Sequence, residues 1–155
     1  MSKYTEIYAP VGGKTKDVTK LSDPVFAQKM VGDGVAIYPN DSIIKAPCNG
    51  ILNHVFGTNH AFTILTKENI EILVHIGIDT VELDGKGFIR IIEDISKPVT
   101  AGQDLIKIDL DYIRSQGKEL DVIVIVSDSD SSFKFKKKLN KDLNANDLLF
   151  KFLVK

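Results

Sequence analysis

The sequence predicts an all-β fold: an antiparallel β-sandwich or flattened barrel with two short helical turns, built as a single domain over residues 1–155. Three observations predict it. Apolar residues fall in short runs, several of them alternating with polar ones, which is the period of a strand with one buried face. Turn formers separate the runs: Pro39-Asn40-Asp41, Pro47-Cys48-Asn49-Gly50, Glu68-Asn69 and Asp84-Gly85-Lys86-Gly87. Only two stretches carry helix start and stop signals.

In chain order the expected strands are Val35–Tyr38, Ser42–Ala46, Ile51–Phe56, Ala61–Thr66 and Ile70–Ile76, then Phe88–Ile92, Asp104–Asp109, Val122–Val126, Phe133–Lys137 and Leu148–Val154. The first helical turn begins at Asp23-Pro24, an N-cap carboxylate followed by proline at the first helical position. It is expected to present Phe26 and Met30 on one face and to end at Gly32. The second runs from Asp109 or Asp111 to a stop at Gly117. No linker, low-complexity segment or internal repeat interrupts the chain.

With 155 residues the chain can bury a sizeable core. Its net charge of −1 excludes a broad footprint for nucleic acid or an anionic membrane. Lys134, Lys136, Lys137 and Lys138, interleaved with Phe133 and Phe135, read as a strand with a solvated face. Cys48 is the only cysteine, so no intramolecular disulfide forms, which fits a reducing compartment. No signal peptide is visible, and no run approaches the roughly 20 apolar residues of a membrane-spanning helix. The expected location is cytoplasmic, without membrane insertion. Asp128–Ser132 is a polar loop without EF-hand spacing. Gly12-Gly13-Lys14-Thr15 ends like a P-loop but lacks the first glycine, its position being held by Tyr8.

Histidine is scarce: His54, His60 and His75. In Ile70–Ile76 the even positions form an apolar face for the core, and Glu71, Leu73 and His75 form the other. Gly77 then turns the chain with no side chain to shield the imidazole. Strand geometry by itself favours a surface histidine with no function. His60 shares strand parity with Thr58, whose hydroxyl can orient the ring, and with Phe56 and Phe62. His54 lacks such a setting. Two exposed histidines on neighbouring strands suit metal binding or phosphoryl transfer. A metal site wants three or four ligands, and the sequence offers neither a further histidine nor a cysteine pair for one. A neutral imidazole is a good nucleophile near pH 7, and a second one can donate a hydrogen bond to phosphoryl oxygens.

Several segments resemble, in order and over nearly the whole chain, the glucose-type IIA component of the bacterial sugar phosphotransferase system. They are Phe26–Gly34 (FAQKMVGDG), Ala46–Gly50 (APCNG), Thr58–Phe62 (TNHAF), Leu73–Val81 (LVHIGIDTV), Gly85–Phe88 (GKGF) and Val99–Asp109 (VTAGQDLIKID). The resemblance implies a β-sandwich with a shallow active site on one sheet, and a phosphotransferase component. It implies that His75 is phosphorylated on Nε2 by the phosphocarrier HPr and passes the group to a IIB domain, which phosphorylates incoming sugar. His60 is then the supporting histidine and Thr58 its hydrogen-bond partner. Asp23 and Asp79 match acidic positions that meet basic residues of the partners. Val25, Phe26, Met30, Val31, Phe56, Phe62, Leu73 and Val81 match the apolar rim that docks them. No cofactor is required.

The sequence departs from the family in places. Asn69 stands where glycine is usual, so a positive φ is expected there. Leu73 and Ile76 replace larger aromatics. The Lys- and Asn-rich segment Lys134–Asn146 matches less well. Two other readings compete with this one. APCNG and AGQDLIKID also resemble biotinyl and lipoyl carrier domains, but no acceptor lysine lies in a turn between them. A regulatory binding protein, sensing phosphorylation and acting on transporters or kinases, is the other. In it His60 and His75 bind zinc with a partner's ligand. The Met1 start close to the first strand favours a free-standing protein, and a monomer is the default for a mobile carrier.

Overall fold

The alternating runs are strands of three antiparallel sheets. A computed structural model describes residues 3–93 and 95–154. Its strands are β1 (Thr5–Tyr8), β2 (Gly13–Asp17), β3 (Gly32–Pro39), β4 (Ile43–Lys45), β5 (Gly50–Val55), β6 (Ala61–Leu65) and β7 (Glu71–Ile78). They continue as β8 (Phe88–Arg90), β9 (Pro98–Val99), β10 (Asp104–Ile108), β11 (Glu119–Ser127), β12 (Phe133–Lys137), β13 (Asp142–Leu143) and β14 (Leu148–Val154). The helices are α1 (Pro24–Ala27) and α2 (Leu110–Ser115), with single 3-10 turns at Val18–Lys20 and Thr80–Leu83. The large sheet has the order β13-β2-β3-β11-β7-β6-β5-β9; the small ones are β1-β14-β12 and β4-β10-β8. The sheets stay open at their edges, so the sandwich form is realised and the closed barrel is not.

The main core lies between the sheets. Ile72, Val74 and Ile76 of β7 meet Val122, Val124 and Val126 of β11, with Phe150 and Phe152 of β14 and Ile106 of β10 opposite. Each such side chain contributes about 1.5–3 kcal/mol relative to exposure. The other face of the large sheet is not simply solvated, as the alternation suggested. A second, smaller cluster covers it: Val18, Leu21, Phe26, Ala36, Ile78, Ile123 and Ile125, with Val31 and Leu73 packed alongside. Ile76 and Ile78 therefore fall on opposite faces despite equal parity. Gly77 lies between them at φ +78°, and the β7–β11 register slips at the same place, between Glu119 and Val122. This bulge turns the end of β7 over.

All ten expected strands form. Four further strands, β1, β2, β9 and β13, were not expected from the sequence. β2 (GKTKD) is too polar to show a buried face, yet Thr15 within it is buried. β9 and β13 have two residues each and carry no period at all. The first helix is shorter than expected. Asp23 caps it, its Oδ1 accepting from the Val25 N–H at 2.9 Å, but the helix stops at Ala27 and Lys29 turns left-handed at φ +58°. Met30 therefore leaves the Phe26 face and stands 69% exposed, while Phe26 is buried in the second cluster. Gly32 begins β3 rather than ending a helix. For α2 the cap is Asp109, whose Oδ1 accepts from the Tyr112 N–H at 3.0 Å, and Gly117 follows at φ +74°. Asn69 has the positive φ expected of it, +63°.

The lysine run also differs from expectation. Lys137 shares parity with Phe133 and Phe135 and points inward with them, its Nζ 2.6 Å from both Asp17 and Asp33. Lys134 and Lys136 alone hold the exposed side of β12.

Candidate active site

His75 sits on β7 directly opposite Ala61 of β6 and Ile123 of β11, on the face of the second cluster. Its Nδ1 is 2.8 Å from the Gly77 carbonyl oxygen. A carbonyl only accepts, so the proton of the neutral ring is on Nδ1 and the lone pair is on Nε2. Gly77 reaches this position through its positive φ, and the Thr80 hydroxyl, donating to the Ile76 carbonyl at 2.5 Å, ties down the following turn. From the sequence Gly77 is legible only as a residue without a shielding side chain. Its carbonyl holds the tautomer, which no side-chain pattern signals.

His60 comes to His75 from the turn before β6. The rings stand 5.1 Å apart between centroids at an interplanar angle of 80°. Thr58 Oγ1 lies 2.5 Å from His60 Nδ1, the contact expected from the sequence. It arises through a turn rather than strand parity, because Asn59 between them is left-handed at φ +60°. That residue resets the alternation and overturns one expectation. Phe62 pairs with Val74, lies wholly within the main core and cannot belong to a docking rim. His60 is also not exposed as expected, only 5% of its surface being accessible. Neither Nε2 has a hydrogen-bond partner among the described residues.

Aromatic rings flank the pair. Phe26 lies 5.1 Å from His75 and Phe56 lies 5.5 Å from His60, centroid to centroid. Burial pushes His60 down to about 4, and the neighbouring His75 adds to this. Burial also lowers His75, against the opposing pull of the Gly77 carbonyl and the Asp23 and Asp79 carboxylates. Both imidazoles are therefore neutral at pH 7, the state in which one can attack and the other can donate.

Of the expected rim, Val25, Met30, Phe56 and Val81 are exposed, and Val31 and Leu73 are half-buried. A groove of about 600 Å³ runs past Met30, Val31, Phe56 and Leu73. Phe26 packs against His75 but is buried and adds little exposed surface to the rim. Asp23 is half-buried and serves as helix cap, and Asp79 is exposed. His54 is exposed, and its ring lies 5.0 Å from Phe56. No group of three or more His, Cys, Asp or Glu side chains that could hold a metal occurs among the described residues. The histidine pair alone does not fit zinc, which takes four ligands.

Residues 5–132 match the model of the family described as phosphoenolpyruvate-dependent sugar phosphotransferase system, EIIA 1. The chain belongs to this family. This EIIA chain is 41% identical to the glucose-specific EIIA component of Buchnera aphidicola subsp. Acyrthosiphon pisum, over 88% of its own length and 84% of that protein's. It is 43% identical to the N-acetylglucosamine-specific EIICBA component of Escherichia coli strain K12, over 74% of its own length but 18% of that protein's. Glucose permease IIA from Mycoplasma capricolum has the same fold, with a TM-score of 0.87, 32% identity and 96% of both chains covered. The protein is thus a phosphoryl carrier and phosphotransferase component of the sugar phosphotransferase system. The biotinyl or lipoyl alternative is not favoured. The family match ends before β12, while the structural match covers 96% of the chain.

Proposed function

We propose that His75 accepts a phosphoryl group on Nε2 from phospho-HPr and passes it to the IIB domain of a sugar permease, the chain acting as a single IIA domain in the cytoplasm. The observation that carries this reading is the pair of imidazoles 5.1 Å apart, each with Nδ1 engaged and Nε2 without a hydrogen-bond partner among the described residues. The His75 lone pair attacks phosphorus and the new N–P bond forms as the donor's N–P bond breaks. The donor imidazole leaves with the electron pair. In the second step His75 is the leaving group in turn. With the Thr58 hydroxyl donating to His60 Nδ1, the proton of His60 is on Nε2, where it stabilises the phosphoryl oxygens. Positioning and charge stabilisation supply most of the catalysis in such transfers.

The exposed rim around Val25, Met30, Phe56 and Val81, bordered by Asp23 and Asp79, suits two carriers that bind in turn and leave. An apolar contact with a few charges at its edge gives modest, reversible affinity. The occurrence of EIIA within EIICBA proteins supports a IIB partner. Sugar choice belongs to the IIB and IIC parts. No helix of the described residues is long and apolar enough to cross a membrane. No cofactor enters the transfer, and zinc at the histidine pair needs ligands from a partner.

The test is to mix the protein with enzyme I, HPr and phosphoenolpyruvate and map phosphate by mass spectrometry under alkaline conditions. An acid-labile phosphate on His75, absent from His75→Gln, is expected. No phosphate on the wild type, with an authentic EIIA control accepting it, would overturn the proposal.

A further inference from the structure

We infer that Arg90 is a positioning residue for the supporting histidine, acting through Asn59 across the two sheets. Arg90 closes β8 in the sheet β4-β10-β8, paired with Ile106 of β10. Phe88 faces the main core, Ile89 is 63% exposed, and Arg90 returns to the inner side and is half-buried. Its Nε donates to Asn59 Oδ1 at 3.1 Å, joining residues 31 positions apart. Asn59 belongs to the turn between β5 and β6 of the large sheet.

Asn59 is the pivot of that turn. Its backbone is left-handed, and its N–H donates to the Phe56 carbonyl at 2.7 Å. Thr58 immediately precedes it and His60 immediately follows, so a tilt at Asn59 moves both ends of the Thr58–His60 hydrogen bond. Packing holds the turn only loosely at its outer corner, where a Cβ on Gly57 would meet nothing within 4 Å. The bond from Arg90 anchors the turn from the opposite sheet. It is charge-assisted, stronger than one between neutral groups, and the guanidinium stays protonated at every working pH. Misplacement of a group by about 1 Å can cost a transfer step up to about a hundredfold.

The inference rests on His60 supporting onward transfer, so His60→Gln is run alongside. Acceptance from phospho-HPr and transfer to IIB are measured separately by rapid quench, with ¹⁵N shifts of the His60 ring as a readout of its tautomer. Arg90→Met is expected to slow onward transfer roughly tenfold, with acceptance nearly unchanged and the His60 shifts moved. Asn59→Gly, which keeps the left-handed turn but removes the acceptor, should do the same, and Arg90→Met should add nothing to it. Asn59→Asp keeps an acceptor and should relay normally. Unchanged His60 shifts and onward transfer in Arg90→Met overturn the inference, as does a full Arg90→Met effect in the Asn59→Gly background. If Arg90→Met does not fold, the contrast of Asn59→Gly with Asn59→Asp decides. A His60→Gln protein that relays normally refutes the role of His60, and the ring shifts then still decide for or against Arg90.

Discussion

His60 and His75 carry the same imidazole, and in the proposed transfer their different surroundings assign them different roles. The Gly77 carbonyl fixes the His75 proton on Nδ1 and leaves a nucleophilic Nε2. His60, held by Thr58, has no carbonyl on its Nδ1 and is free to keep its proton on Nε2. His60→Gln should therefore accept phosphate on His75 but fail to pass it on, measured as phospho-protein that accumulates without sugar phosphorylation. Normal relay by this variant would sink the division of labour. The lowered His60 value also ties stability to pH. The unfolded chain takes up this proton near pH 6.5 and the folded chain only near 4, so the unfolded state binds more protons in between. The contribution is fully present above about pH 6.5 and is lost as pH falls toward 4. Its size is on the order of 2 kcal/mol. Urea midpoints at pH 7 and pH 4.5 should fall less for His60→Gln than for the wild type; equal losses would exclude the linkage.

The end of β7 is the element on which the site depends. Gly77 allows the strand to turn over, which brings its carbonyl oxygen to the His75 Nδ1 and sends Ile78 into the second cluster. In Gly77→Ala the new methyl would run into the Thr80 side chain and come within 2.8 Å of the Glu119 carbonyl oxygen, with φ still required to be positive. We expect a loss of roughly 2–3 kcal/mol in stability, and slower phosphate acceptance per folded molecule because relief of these clashes shifts the residue-77 carbonyl away from the His75 Nδ1 proton. Thermal unfolding together with the acceptance rate checks both. A variant as stable as the wild type would mean that the strand end relaxes freely.

At the scale of the whole molecule, Lys137 joins separate sheets. It rises from β12 of the sheet β1-β14-β12 and meets Asp17 of β2 and Asp33 of β3 in the large sheet. Burial pushes the Asp17 carboxyl up, but Lys137 and the Thr19 hydroxyl outweigh it and hold the group below the usual range. Lys137→Met leaves two carboxylates facing each other and should cost roughly 3 kcal/mol at pH 7. Because the folded value is depressed, this stability is present above about pH 4 and is lost as pH falls further. The difference between variant and wild type in chemical unfolding should therefore shrink near pH 3. A constant difference would point to packing of the lysine stem instead.

The sequence by itself determined the strand class, the ten strands with a visible apolar period, the Asp23 cap of the first helix and the His75 face of β7, while leaving the second cap open between Asp109 and Asp111. These are local properties, set by alternation, capping chemistry and turn residues within a few positions. The motif resemblance also brought His60, Thr58 and His75 into one proposal. Tertiary structure decided what local period cannot hold. Asn59 and Gly77 each reset the alternation, which moved Phe62 into the core and Ile78 out of it. The polar strand β2 and the two-residue strands β9 and β13 exist because neighbouring strands pair with them. Lys137 is turned inward by carboxylates more than a hundred residues away in the chain, and Arg90 reaches Asn59 in the turn before His60 only because two sheets stack. Side-chain alternation repeats every two residues along a strand, so it records which face is buried. It carries no record of what the other sheet places against that face.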